Sequence, residues 1–133
     1  MRGPVNTDME LAALAARQYG VVARRQLGFG QRAIDHRCRV GRLHRVHLGV
    51  YAVGHLGLGR EARWLAAVLA CGDEAVLSHR SAAALWGIRL GELFRPEITA
   101  PTLKRHPGIA SHRACLAAPD RTTHLRIPVT IIL

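Results

Sequence analysis

The sequence has few acidic residues and few cysteines, two kinds of residue from which catalytic and metal-binding sites are built. It contains nine acidic residues against 19 basic ones, a single lysine, and three cysteines that lie more than thirty positions apart. It holds no HExxH, GxSxG or CxxC motif. The cysteine spacing offers neither a disulfide framework nor a metal-binding pair, so we interpret all three as buried core thiols. The sequence therefore predicts no catalytic residue, no metal site and no cofactor.

The eight histidines do not change this interpretation. His44 and His47 are three positions apart but fall in a predicted hairpin. The later ones are scattered along the chain: His55, His79, His106, His112 and His124. Without a metal-binding spacing or a paired carboxylate, we expect surface or hydrogen-bonded histidines. Ser78, beside His79, fits a helix N-cap better than a nucleophile.

The chain also lacks long apolar runs. None reaches about 18 residues, the length of a membrane span, and the first residues lead into no signal-peptide core. The apolar fraction of 49% is that of a globular protein. We therefore expect a soluble, cytoplasmic protein with no membrane partner.

Positive charge is abundant and unevenly placed. The formal net charge is +10, of which residues 1–60 carry +7 (ten arginines against three acidic residues) and residues 61–133 carry +3. Such an excess favours a polyanion, and double-stranded DNA is the predicted partner. A GC-rich genome would also enrich arginine, so the placement of the charge matters more than its total.

The first half has the pattern of three helices and a hairpin. Thr7 to Glu10 forms a capping box that predicts the start of a helix ending before Gly20. After an extended Val21-Val22 step, residues 23–27 and 31–40 predict two further helices. Residues 43–46 and 50–53 are β-prone runs around a turn with Gly49.

These elements predict an α+β fold in two parts. Residues 1–55 are expected to form a winged helix-turn-helix DNA-binding domain. Residues 56–133 are expected to form a small α/β subdomain. In it we predict helices at residues 60–71 and from Ser78 to Leu85, followed by strands at residues 97–100, 109–113 and 127–132.

One face of the third predicted helix offers groups that can read DNA bases. Arg32, Asp35, His36 and Arg39 recur at helical spacing opposite an apolar face containing Ile34 and Cys38. Arginine can bond guanine with two donors, so Arg32 and Arg39 are the predicted base readers, with His36 beside them. Asp35 is expected to accept from cytosine or to hold one of the arginines. The alternative is a solvated, charged helix face.

Further basic residues flank this helix. Those predicted to contact phosphates are Arg24 and Arg25 in the second predicted helix, and Arg42, Arg45 and His47 at the hairpin. They would set affinity rather than sequence choice.

Three blocks of sequence resemble one family. They are GRLHRVHLGVYAVG (41–54), AAVLACG (66–72) and LSHRSAAALWG (77–87). Over about residues 9–130 the chain is similar to the AbiEi-type antitoxins and transcriptional regulators of bacterial type IV toxin–antitoxin systems. The resemblance implies a winged helix that binds operator DNA and represses its own promoter, an α/β region linked to antitoxicity, and, as a partner, a cognate toxin or the promoter of its gene.

Longer relatives continue into an endonuclease-like domain. This sequence ends at Ile131-Ile132-Leu133, so we expect that domain to be absent and the α/β region to be truncated. Two alternatives stay open. The chain is the specificity half of a nuclease whose catalytic half, related to very-short-patch repair enzymes, is missing, or it is a protein-interaction module whose basic half serves solubility.

Overall fold

A computed structural model describes residues 3–88 and 95–131. Within them the chain has a mixed α+β fold with four α-helices and two β-sheets, in agreement with the predicted class. The chain divides into two compact units, residues 1–66 and 67–133. None of the described helices is long and apolar enough to cross a membrane.

The first unit begins with helix α1 (Asp8–Arg17), and its start confirms the predicted capping box. The Thr7 hydroxyl accepts from the Glu10 amide at 3.1 Å, and the Glu10 carboxylate accepts from the Thr7 amide at 3.1 Å. These bonds satisfy amides that a helix N-terminus otherwise leaves without partners. The helix ends at Arg17, two residues earlier than the stop predicted directly before Gly20, and both Tyr19 and Gly20 lie in the left-handed region.

The predicted second helix at residues 23–27 is wrong. Ala23 belongs to a strand, β1 (Val21–Ala23), and only Arg24–Gln26 form a single 3-10 turn. Other partners occupy the backbone groups that a longer helix would need, because Gln26 O accepts from Val5 N at 2.9 Å and Gly28 N donates to Val5 O at 2.6 Å. These bonds to the segment before α1 limit the helical geometry to the single 3-10 turn.

Helix α2 (Gln31–Arg39) then leads into an antiparallel hairpin of β2 (Leu43–His47) and β3 (Val50–Val53). Gly49 has φ +77° in the connecting turn, a conformation that strains any residue with a Cβ. β1 pairs with the other edge of β3, which gives the order β1-β3-β2. The hairpin was predicted, but its pairing with β1 was not.

The core of this unit consists of apolar side chains from α1, β1, α2, β2 and β3. Val22, Ile34 and Leu43 are fully or almost fully buried, with Leu11 and Tyr51 packed in the same cluster. Ile34 is the buried residue of α2. Its burial fixes the rotation of the helix, so the opposite face points to solvent.

Helix α3 (Arg60–Cys71) has the predicted bounds. In the second unit, α4 (His79–Leu85) follows a two-residue strand, β4 (Val76–Leu77). Four more strands are β5 (Glu97–Ala100), β6 (Ala110–Arg113), β7 (Arg121–His124) and β8 (Ile127–Thr130). They form a mixed sheet in the order β6-β5-β4-β8-β7, with β5 parallel to β6 and β4 parallel to β8.

Some details of the second unit differ from prediction. β4 and β7 were not predicted, because β4 is short and β7 reads Arg-Thr-Thr-His without an apolar alternation. The last predicted strand covered residues 127–132, of which residue 132 lies outside the described part. Ser78 is the N-cap of α4, but its hydroxyl makes no capping hydrogen bond.

The three cysteines have different environments. Cys71 is buried and Cys38 is half-buried, but Cys115 is exposed. The prediction of a buried core thiol is therefore wrong for Cys115, which follows the end of β6 in a loop rather than facing the core.

Candidate nucleic-acid interface

Helix α2 presents three basic side chains to solvent. Arg32, His36 and Arg39 are all exposed, on the side of the helix away from the buried Ile34. None of them makes a hydrogen bond or ion pair with any residue in the described part of the chain. Their donors are therefore available to a ligand.

Asp35 lies on the same exposed face and has a different partner. Its Oδ1 accepts from Gln31 Nε2 at 2.8 Å, one helical turn earlier. The suggestion that Asp35 holds Arg32 or Arg39 in position is therefore wrong for this structure. The positive charge of the two arginines is not neutralised by an ion pair from Asp35.

Arg42 and Arg45 extend the basic surface from the end of α2 into β2. The Arg42 side chain is 67% exposed and contacts Asp8 at 3.6 Å, a separation at which an exposed pair contributes little. Arg45 is exposed and lies opposite Tyr51. The register shifts between Arg45 and His47, and such a bulge twists a hairpin locally. His47 is half-buried after it.

Arg24 and Arg25 lie in the 3-10 turn rather than at the start of a helix. The Arg24 amide donates to Gly49 O at 2.7 Å, so the fold brings this turn against the turn of the hairpin. The Arg24 side chain is half-buried and reaches Leu27 O at 3.4 Å, whereas Arg25 is exposed. Of the two, Arg25 is better placed to reach a ligand.

Each acidic residue of the first sixty already has a partner. Glu10 closes the cap of α1, Asp35 bonds Gln31, and Asp8 bonds Arg37 at 2.9 Å. The hydrogen bond from Arg37 holds the pKa of the Asp8 carboxyl below its usual value. Asp8 thus offsets part of the charge of Arg37 and Arg42, and Asp35 keeps its negative charge on α2. The exposed Arg32, Arg39 and Arg45 still leave the described surface of α2 and β2 predominantly cationic.

A second cluster, in the other unit, was not predicted. His112 Nε2 lies 3.1 Å from Glu97 Oε2, and the rings of His79 and His112 stack with centroids 4.0 Å apart. These histidines are 33 positions apart, so spacing could not find them. The parallel pairing of β5 with β6 and the position of α4 bring them together, and that pairing is a long-range property of the fold.

No known protein family matches the sequence, and no curated protein matches it significantly. The function of the basic surface is therefore inferred from its own geometry and charge.

Proposed function

We propose that residues 8–54 form a winged helix-turn-helix that binds duplex DNA. In this proposal α2 enters the major groove and the β2–β3 hairpin is the wing. The order of elements supports it, since α1, β1, the 3-10 turn, α2 and the hairpin follow one another, and β1 closes the base of the hairpin by pairing with β3. The 3-10 turn takes the place of the middle helix.

The observation that carries the proposal is the face of α2. Three exposed basic side chains, Arg32, His36 and Arg39, lie within two helical turns and have no partner among the described residues. An exposed arginine on a groove-binding helix can donate two hydrogen bonds to guanine O6 and N7. We assign base reading to Arg32 and Arg39, with His36 between them.

Phosphate contacts are assigned to the basic residues around α2. Arg25, Arg42 and Arg45 are exposed, and Arg24 and His47 lie by the hairpin turn. Each phosphate that such a group neutralises releases counterions, and the logarithm of affinity then falls with the logarithm of salt by about 0.9 per contact.

The sequence blocks similar to AbiEi-type regulators support a biological role for this binding. We propose that the protein is a transcriptional regulator that represses its own promoter by occupying it, with a cognate toxin or the promoter of the toxin gene as its partner. A toxin of the nucleotidyltransferase type encoded next to this chain would support that role. A neighbouring nuclease gene would favour a specificity subunit.

The proposal is tested by titrating the full chain into DNA from upstream of its own gene. Binding is followed by fluorescence anisotropy over a salt series, with an unrelated duplex of equal length alongside. We expect Arg32→Ala and Arg39→Ala each to weaken binding to the upstream DNA by about 1–3 kcal/mol, roughly 5- to 150-fold, and to reduce the preference over the unrelated duplex.

Arg105→Ala is the matched control. It removes the same charge from an exposed arginine in the second unit, so it reports the effect of net charge alone. If Arg32→Ala and Arg39→Ala bind like Arg105→Ala, α2 does not read bases. If the unmodified protein shows no salt-dependent binding to either duplex, the proposal fails.

A further inference from the structure

A group of potential metal ligands lies on one side of the second sheet. His79, Glu97 and His112 each offer one ligand atom, and these atoms lie within 4.8 Å of one another. Thr99 pairs directly with His112 across β5 and β6, and Glu97 is two residues before Thr99. Alternate residues of a strand share a face, so Glu97 and His112 project to the same side of the sheet.

His79 is held on this side by hydroxyl groups behind it. Its Nδ1 lies 2.9 Å from Ser78 Oγ, which also accepts from Thr99 Oγ1 at 2.8 Å. Ser78 and Thr99 are both buried, so they form a fixed support for the imidazole. Because Nδ1 is engaged by Ser78, Nε2 is the His79 nitrogen left to bind a ligand.

The backbone of His79 also has an uncommon conformation. Its φ is +54°, in the left-handed region that residues with a Cβ rarely adopt. Non-glycine residues held in this region are concentrated at binding and catalytic sites, where the surrounding structure compensates the strain. Here the conformation places the imidazole beside the ring of His112.

A pocket of about 270 Å³ adjoins the cluster. His79 lines it together with Ser78, Thr99, Asp120 and Thr130. The Thr130 hydroxyl is buried and has no hydrogen-bond partner in the described part of the chain. This oxygen is enclosed and does not face the pocket, whereas the polar residues His79 and Asp120 line it.

We propose that His79, Glu97 and His112 bind one divalent transition-metal ion of the zinc class, with the remaining coordination position open to this pocket. Two imidazoles and one carboxylate form the three-ligand set of zinc sites that keep a position for water or substrate. This site lies within the second unit and does not depend on the proposed DNA binding.

To share one ion, the three ligand atoms, which now lie within 4.8 Å of one another, must move closer together, and the stacked rings of His79 and His112 must turn. At zinc–nitrogen distances of about 2.0–2.1 Å, tetrahedral ligand atoms lie roughly 3.3 Å apart. The Glu97–His112 pair is already at 3.1 Å. The His79 ring is held by Ser78, but the His112 side chain is 40% exposed, so the His112 ring has room to tilt toward a shared ion.

The test uses the full chain without an affinity tag. Calorimetric titration with Zn²⁺ should give saturable binding of one equivalent, and Co²⁺ should give the visible absorption bands of a tetrahedral site. Saturating Zn²⁺ should raise the midpoint of thermal unfolding by on the order of 5 °C.

His79→Gln, Glu97→Gln and His112→Ala should each weaken binding by about tenfold or more. His79→Gln is the most informative of them, because its exposed side chain can change without loss of the fold, which circular dichroism checks. His55→Ala and Cys115→Ser are matched controls at exposed residues outside the cluster, and should bind normally. Absence of saturable Zn²⁺ binding, or unchanged affinity in His79→Gln, would overturn the proposal.

Discussion

Arg37 Nε lies 2.9 Å from Asp8 Oδ1 and so joins α2 to the first turn of α1. The guanidinium of Arg37 also lies over the ring of Phe29, 3.9 Å from its centroid, and donates to Ala33 O at 3.1 Å. Only 15% of its side chain is exposed. Arg37 therefore has a structural role, whereas Arg32 and Arg39 on the same helix are exposed to solvent.

We therefore expect Arg37→Ala to lower the free energy of unfolding by about 1–2 kcal/mol, because it removes a cation–π contact and charge-assisted hydrogen bonds. Arg32→Ala removes the same side chain from the exposed face and should change stability by less than about 0.5 kcal/mol. Urea titration followed by circular dichroism measures both. Equal losses in the two variants would contradict the structural role of Arg37.

The pair also predicts a pH dependence. The hydrogen bond from Arg37, aided by the charges of Arg37 and Arg42 and opposed by desolvation, lowers the pKa of the Asp8 carboxyl. A carboxyl with a lowered folded-state pKa stabilises the protein above its unfolded pKa of about 3.9, and this contribution disappears as pH falls through the folded pKa.

The stability difference between the unmodified protein and Asp8→Asn should therefore be constant above about pH 5 and shrink on acidification below that. Because the Asp8 side chain is 54% exposed, we expect an amplitude below about 1 kcal/mol. The measurement is urea unfolding of both proteins at several pH values. A stability difference between the two proteins that grows on acidification would contradict the lowered pKa of Asp8.

Arginines that contact phosphates should differ from those that contact bases. Arg45→Ala should weaken binding to all duplexes alike and reduce the salt slope by about 0.9. Arg39→Ala should instead reduce discrimination between sequences. Anisotropy titrations of the upstream and unrelated duplexes at several salt concentrations separate the two effects. If Arg45→Ala lost the preference for the upstream duplex, the hairpin would also read bases.

A pair of glutamine amides holds the region around the 3-10 turn. Gln18 Nε2 donates to Gln26 Oε1 at 3.0 Å, and Gln26 Nε2 donates to Gln18 Oε1 at 2.8 Å. Gln26 Oε1 also accepts from the amide of the fully buried Ala23 at 2.9 Å. Removing Gln26 leaves that buried amide without its acceptor.

We expect Gln26→Ala to reduce the free energy of unfolding by about 1–3 kcal/mol. Gln31→Ala is the control, since the Gln31 side chain is exposed and, among the described residues, Asp35 is its only hydrogen-bond partner. It should cost less than about 0.5 kcal/mol. Chemical denaturation compares the two variants, and a similar small loss in both would show that the glutamine pair contributes little.

Local sequence signals predicted the elements whose partners lie close in the chain. The Thr7–Glu10 cap, the hairpin turn at Gly49 and the α3 helix are set by contacts within a few residues, and all three were predicted. The helix predicted at residues 23–27 was wrong because Val5, some twenty positions earlier, binds the backbone there. The helix propensity of a residue takes no account of such long-range contacts.

The same distinction applies to the candidate sites. The exposed face of α2 follows from helical spacing around Ile34, so its members could be named in advance. The contact between His79 and His112 depends on strand pairing in the second sheet, and no spacing in the sequence indicates it. Asp35 has several neighbouring side chains that could donate a hydrogen bond to it. The sequence alone does not show that Gln31 is the donor.

The cysteines should differ in reactivity. Burial raises the pKa of the Cys71 thiol, and its contact with Ser111 and the charge of Lys104 only partly offset this. Cys115 is exposed. Since the thiolate is the reactive form, iodoacetamide should modify Cys71 on the order of tenfold or more slowly than Cys115.

Mass spectrometry of peptides from timed reactions measures the two rates. The same reaction in concentrated urea is the control, because unfolding should make the rates similar. Faster modification of Cys71 in the folded protein would show that this thiol is not enclosed as described.

The place of β3 between β1 and β2 bears on the entropy of complex formation. Both edges of β3 are already hydrogen-bonded within the chain. The Arg24 amide also donates a hydrogen bond to Gly49 O in the turn. The root of the hairpin is thus ordered before any ligand arrives. In the complex that we propose, the loss of conformational freedom falls mainly on long side chains such as Arg45 and on the tip at Leu48, so little of the interaction energy is consumed in ordering the backbone.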